Sequence, residues 1–150
     1  MKPSLFKLSI PGVSSYEAIE TTEPNNLTNV ASELMQARTQ FHIWHLQSTG
    51  VSSYAIHMAI GGFYESLTGF IDSLVETSQG KTKSIIKGYT SEPLMDFESK
   101  DQIIKELDEL KSDIEGYRVT LDRSWANIDN QLQTIVDVIE QTQYKLLFLN

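Results

Sequence analysis

From Leu27 onward, apolar residues return at alternating intervals of three and four. Leu27, Val30, Leu34, Ala37, Phe41 and Trp44 therefore share one helical stripe, and Asn25 or Asn26 is placed to cap it. The helix is expected to stop near 48–50, with Gly50 as its terminator. After the short link "STGVSS", Ser52 or Ser53 can cap a second helix striped by Ile56, Ile60, Phe63, Leu67, Phe70 and Leu74. So short a link makes the two helices antiparallel.

From Gly80 to about Lys100 the periodicity dissolves into "GKTKSIIKGYTSEPLMDFESK", with Gly80, Gly88 and Pro93 as punctuation and room for one short helix around 82–87. A third helix is expected over about 99–121 on Ile103, Leu107, Leu110, Ile114, Tyr117 and Leu121, opened by Ser99 and Gln102 as a capping box. The fourth, about 124–149, is striped by Trp125, Ile128, Leu132, Ile135, Ile139, Thr142, Leu146 and Leu149. Four stripes specify an all-α four-helix bundle over residues 25–150, with one long crossover between helices 2 and 3. Residues 1–24 hold Pro3, Pro11, Pro24 and the turn-forming "PGVSS", and read as an irregular N-terminal extension with room for a short strand or turn.

Composition narrows the class. A chain of 150 residues with 40% hydrophobic and 21% charged residues suits one folded domain. Without cysteine it forms neither disulfides nor thiolate metal sites. The start "MKPSLFKLSIPGV" lacks the apolar core of a secretory signal, and no apolar run approaches the roughly 18 residues of a membrane span, so a soluble cytoplasmic protein is expected. A net charge of -8, with only Lys2 and Lys7 as bases in the extension, disfavours DNA as a partner.

The chemistry is concentrated in 41–76, which contains all three histidines. His45 lies five residues before Gly50 and His57 five after Ser52, so the hairpin brings both imidazoles to similar heights, where they could face one cation. Asp72 and Glu76 are four apart on one face of the second helix. Fifteen residues separate His57 from Asp72, about 22 Å at 1.5 Å per residue, so one ion cannot reach both within a chain. Antiparallel packing of two second helices about a two-fold axis would unite the histidines of one subunit with the acids of the other. Gly61, Gly62 and Gly69, poor choices inside a helix, suit such a close approach.

The segment from His45 to Glu76 resembles the Dps proteins, or miniferritins, of the ferritin-like superfamily. A histidine before the hairpin glycine, a second twelve positions later, an aspartate fifteen further on and a glutamate four beyond match His45, His57, Asp72 and Glu76, with Gly50 as the glycine. The resemblance implies a ferritin-like bundle and an iron centre, di-iron or mono-iron, at the interface of a homodimer. It also implies oxidation of Fe(II) by hydrogen peroxide or oxygen, ferric storage, oxidative protection, and assembly into a dodecameric cage. The chain departs from that family at Leu46, where a tryptophan is usual, at Gly61, where a further acid is usual, and in lacking a lysine-rich tail.

Glu65 shares roughly the direction of Asp72 and could replace the acid missing at Gly61, and His42, one turn before His45, could serve as an auxiliary ligand. Trp44, Phe63, Tyr64 and Phe70 are expected to pack, with Tyr64 or Trp44 near enough to quench radicals. Lys81, Lys83 and Lys87 read as solvated loop charges, and Asp108, Glu109, Asp113 and Glu115 as a wet helix surface. The rival to ferroxidase chemistry is a non-catalytic interaction protein that keeps the bundle around a degenerate metal site.

Overall fold

A computed structural model describes residues 27–149. The expectations for residues 1–24, and the capping role of Asn25 or Asn26, lie outside the described residues. Four helices follow in order: α1 (Leu27–Gln47), α2 (Ser53–Thr82), α3 (Lys100–Arg118) and α4 (Ala126–Phe148), the last entered through a single 3-10 turn, Arg123–Trp125. The described chain is all-α, and the four helices pack as a bundle.

The stripes read from the sequence are the core. Leu27, Leu34, Phe41, Trp44, Ile60, Leu67, Leu74, Ile103, Leu107, Ile114, Ile128, Leu132, Ile135 and Ile139 have no exposed surface. At roughly 1.5–3 kcal/mol for each fully buried aliphatic or aromatic side chain, this stripe packing is the main force holding the helices together. Three positions depart from the expected stripes: Ile71 rather than Phe70 is buried on α2, Leu121 falls past the end of α3 and is half-buried, and Leu149 falls past the end of α4 and is 51% exposed.

Hydrogen bonds between distant residues fix the topology. Lys81 at the end of α2 donates from Nζ to the Ser124 carbonyl (2.5 Å), and Gln131 to Thr77 (3.1 Å), so α2 and α4 run antiparallel. The crossover, residues 83–99, then travels back along α1. Its Thr90 N–H donates to Ser32 Oγ (3.1 Å), its Met95 N–H to Gln40 Oε1 (2.8 Å), and its Phe97 N–H to Gln47 Oε1 (2.8 Å). The Met95 carbonyl accepts from Gln40 Nε2 (2.7 Å) and from Trp44 Nε1 (3.1 Å). This is why Gln40, a polar residue, is 1% exposed in α1. A buried peptide group needs a partner, and in an extended crossover the side chains of α1 supply it. The crossover starts α3 at the same end of the bundle as α2, so α2 and α3 are parallel and all packed neighbours antiparallel.

Several boundaries differ from expectation for local reasons. Residues 82–87 form no separate helix: α2 continues through Gly80 to Thr82 and stops at Lys83 in a left-handed conformation (φ 54°). Ser52 also adopts positive φ (63°) and its side chain caps nothing; the turn is closed by the Ser53 N–H to the Gly50 carbonyl (3.2 Å), with Gly50 at φ 90°. A left-handed non-glycine residue costs on the order of 1 kcal/mol, so the helix–helix packing overrides a local preference. Ser99 does cap α3, accepting from the Gln102 N–H (3.2 Å), but the Gln102 side chain accepts from Glu98 N–H (2.9 Å) instead of completing the reciprocal box.

Candidate metal-binding site

The α1–α2 pairing is the most extensive in the bundle, and it sets the histidines. His45, on the last turn of α1, and His57, on the second turn of α2, lie side by side with ring centroids 3.6 Å apart and planes 24° apart. Each ring is fixed by the other's backbone: Nδ1 of His45 is 2.9 Å from the His57 carbonyl, and Nδ1 of His57 is 2.9 Å from the His45 carbonyl. A carbonyl only accepts, so in both neutral rings Nδ1 carries the proton and Nε2 holds the lone pair. This tautomer leaves Nε2 free for a metal, and a backbone carbonyl on the far nitrogen is a usual way such a ligand is oriented.

Gly61 is what lets the pair form. A Cβ placed there would stand 3.1 Å from both Cε1 and Nδ1 of His45, so the imidazole occupies the space where any side chain at 61 would begin. A side chain at 61 would therefore press on the His45 ring, which would have to shift by a few tenths of an ångström. The pairing of Gly61 with His45 was within reach of the sequence, since Gly61 is one turn beyond His57 on the same side of α2.

His42 is exposed and stacks on half-buried Tyr64 (centroids 4.5 Å, planes 16° apart), while Tyr64 meets His45 edge-on at 5.3 Å. His42 and His45 are 6.4 Å apart. Trp44 is in the core, donating to the crossover rather than facing the histidines. Of the charges expected to be solvated, Lys81 instead lies 5.0 Å over the Trp125 ring.

The acids are elsewhere in the chain. Asp72, Glu76 and Glu65 are exposed on α2, and no group of three or more His, Cys, Asp or Glu side chains among the described residues is placed to hold a metal ion. The chain alone therefore presents two oriented imidazoles in one place and two carboxylates further along α2, Asp72 about 22 Å and Glu76 about 28 Å from His57. A bound cation lies in the plane of its imidazole. Rings stacked at this angle suit two ions side by side better than one shared ion, unless a ring turns.

Fold and site together define a four-helix bundle with a long crossover and a paired-imidazole site on its α1–α2 face. The chain belongs to a family of unknown function, DUF5856, whose model matches residues 45–146, from His45 into the last turn of α4. No curated protein and no solved structure matches it. No helix among the described residues is long and apolar enough to cross a membrane.

Proposed function

We propose that this protein is a miniferritin of the Dps kind, oxidising Fe(II) at a site shared between two subunits and storing the ferric product. The observation that carries the reading is the reciprocal backbone anchoring of His45 and His57, which leaves the lone pair on each Nε2 before any partner arrives. Asp72 and Glu76 of a second subunit supply the hard oxygen donors that ferric iron prefers. Iron is the substrate. Two Fe(II) each lose one electron, hydrogen peroxide takes both together with two protons, and two water molecules leave. Pairing the electrons in this way avoids hydroxyl radical, the source of the proposed oxidative protection.

Gly61 favours a second reading, in which the histidine pair binds a cation in a non-catalytic assembly. The extra acid that would complete a second iron position is missing there, and any side chain at 61 would require the His45 ring to shift. Iron oxidation separates the two. Purified protein given Fe(II) and then peroxide without oxygen is expected to develop ferric absorbance faster than buffer, and His57→Ala and Asp72→Ala to fall to the buffer rate. Zinc binding without protein-dependent oxidation would establish the non-catalytic reading. Neither binding nor oxidation would remove both.

A further inference from the structure

The crossover leaves a groove open along α1. Between Ile86 and Phe97 every side chain is exposed, so residues 87–96 are fastened by hydrogen bonds, Thr90 to Ser32 and Met95 to Gln40, while burying no side chain of their own. Two hollows of about 390 and 300 Å³ lie between this stretch and α1, and they share Gln36, Thr90, Ser91 and Glu92, which makes them one continuous groove. Apolar groups stand in water along it, Met35 at 38%, Tyr89 at 41% and Leu94 at 47% exposed, and clustered apolar surface of this kind marks a binding surface. The charged residues that line it are Glu33 and Glu92, with no lysine, arginine or histidine among the described lining residues. The groove therefore suits an occupant that is extended, apolar and basic.

The chain carries such a stretch ahead of the described residues. Residues 1–10, MKPSLFKLSI, hold Lys2, Lys7 and no acid, with Leu5, Phe6, Leu8 and Ile10, in a protein of net charge -8. Alternate side chains of an extended segment share one side, which groups Phe6, Leu8 and Ile10 and sets Lys7 opposite. The described chain begins at Leu27, beside Asn29 at one end of the groove. From Asn29 to Thr39 the groove follows about 15 Å of helix, and residues 5–10 span about 20 Å when extended. Residues 11–26, which include Pro11 and Gly12, supply the turn back. A tethered segment also meets its site at an effective concentration of roughly millimolar, so a shallow groove suffices to hold it.

We infer that residues 5–10 occupy the α1–crossover groove of their own chain, with Phe6, Leu8 and Ile10 against Met35, Tyr89 and Leu94 and Lys7 toward Glu92. Because the segment turns back from the start of α1, it runs antiparallel to both α1 and the crossover. It covers apolar surface that the crossover leaves in water, and it clamps the crossover to α1. The inference rests neither on iron nor on a second subunit.

The native chain has no cysteine, so a disulfide can report the docking in the full-length protein. Leu8→Cys is combined either with Met35→Cys in the groove or with Asn130→Cys, exposed on α4 near the end of the bundle where α1 starts. Residues 9–26 can reach about 60 Å, so a free tether would find either partner at similar rates. Docking brings only the groove pair within the roughly 7 Å that a disulfide needs. Under mild oxidation with chelator, the groove pair is expected to close at least tenfold faster than the control pair, into a product of monomer mass. Adding Lys7→Glu should cut that preference severalfold, and adding Glu92→Lys as well should restore it. Equal rates for the two pairs would overturn the inference. So would a product of dimer mass joining position 8 to position 35, which puts the segment of another copy in the groove. A preference indifferent to the charge changes would overturn the placement of Lys7. Met35 and Asn130 are both exposed, so the cysteines leave the core intact.

Discussion

Replacing Gly61 by alanine isolates the contact on which the histidine pair depends. Glycine inside a helix is about 0.5–1 kcal/mol less favourable than alanine. At Gly80, also within α2, a new Cβ meets nothing within 4 Å, so Gly80→Ala should gain the full amount. At Gly61 the same gain is opposed, because the Cβ would stand 3.1 Å from two atoms of the His45 ring, inside the relaxed carbon contact of about 3.5–4.0 Å. The ring must move, which loosens its 2.9 Å hydrogen bond to the His57 carbonyl, and losing such a bond costs about 0.5–1.5 kcal/mol. Gly61→Ala should therefore lose most or all of that gain, separated from Gly80→Ala by about 0.5–1.5 kcal/mol, or about 1–6 °C in Tm for a chain of this size. Thermal and urea melts at one protein concentration measure the difference, and nitrogen NMR of the imidazoles reports whether both keep the proton on Nδ1. Equal stabilisation by the two variants, with the tautomers unchanged, would refute the packing of His45 on Gly61.

Other outcomes follow from the same physics. Gln40→Ala strips the Met95 N–H of its partner and the Met95 carbonyl of one of its two, and should cost about 1–3 kcal/mol in urea unfolding. Ser99→Ala removes the side-chain cap of α3 and should cost about 1 kcal/mol. Partial desolvation and, next, the charge of Asp113 on α3 raise the pKa of Glu33, although much of its surface stays exposed. A carboxyl raised in the folded state destabilises when ionised, with full effect above its folded pKa and none below its unfolded value. Glu33→Gln should thus be more stable than wild type at neutral pH and lose that advantage well below the ordinary glutamate value of about 4.3, and an advantage that persists there in urea melts would contradict the assignment.

How much was legible varied with the range of the interaction. The positions of all four core stripes were readable because helix burial follows a 3.6-residue period. Where a boundary depended on neighbours, reading failed: α2 runs through Gly80 because its last turn packs beside Trp125, which Lys81 covers. In the site, the shared height of His45 and His57 followed from counting residues to the link. Their stacking, their tautomers and the reason for Gly61 did not, since each depends on how closely α1 and α2 approach.

By itself the sequence determined the number of helices, the faces they bury, the long crossover and the proximity of His45 to His57, all consequences of periodicity and short-range chain geometry. Only the tertiary structure decided that Gln40 and Trp44 hold the crossover, because their partner at Met95 lies more than fifty residues away. It also decided that the imidazoles are anchored by each other's carbonyls. Ring orientation is set by a balance of steric contacts and hydrogen bonds worth about 1 kcal/mol each, and contacts of that size take their direction from the packed helices, not from the order of residues along them.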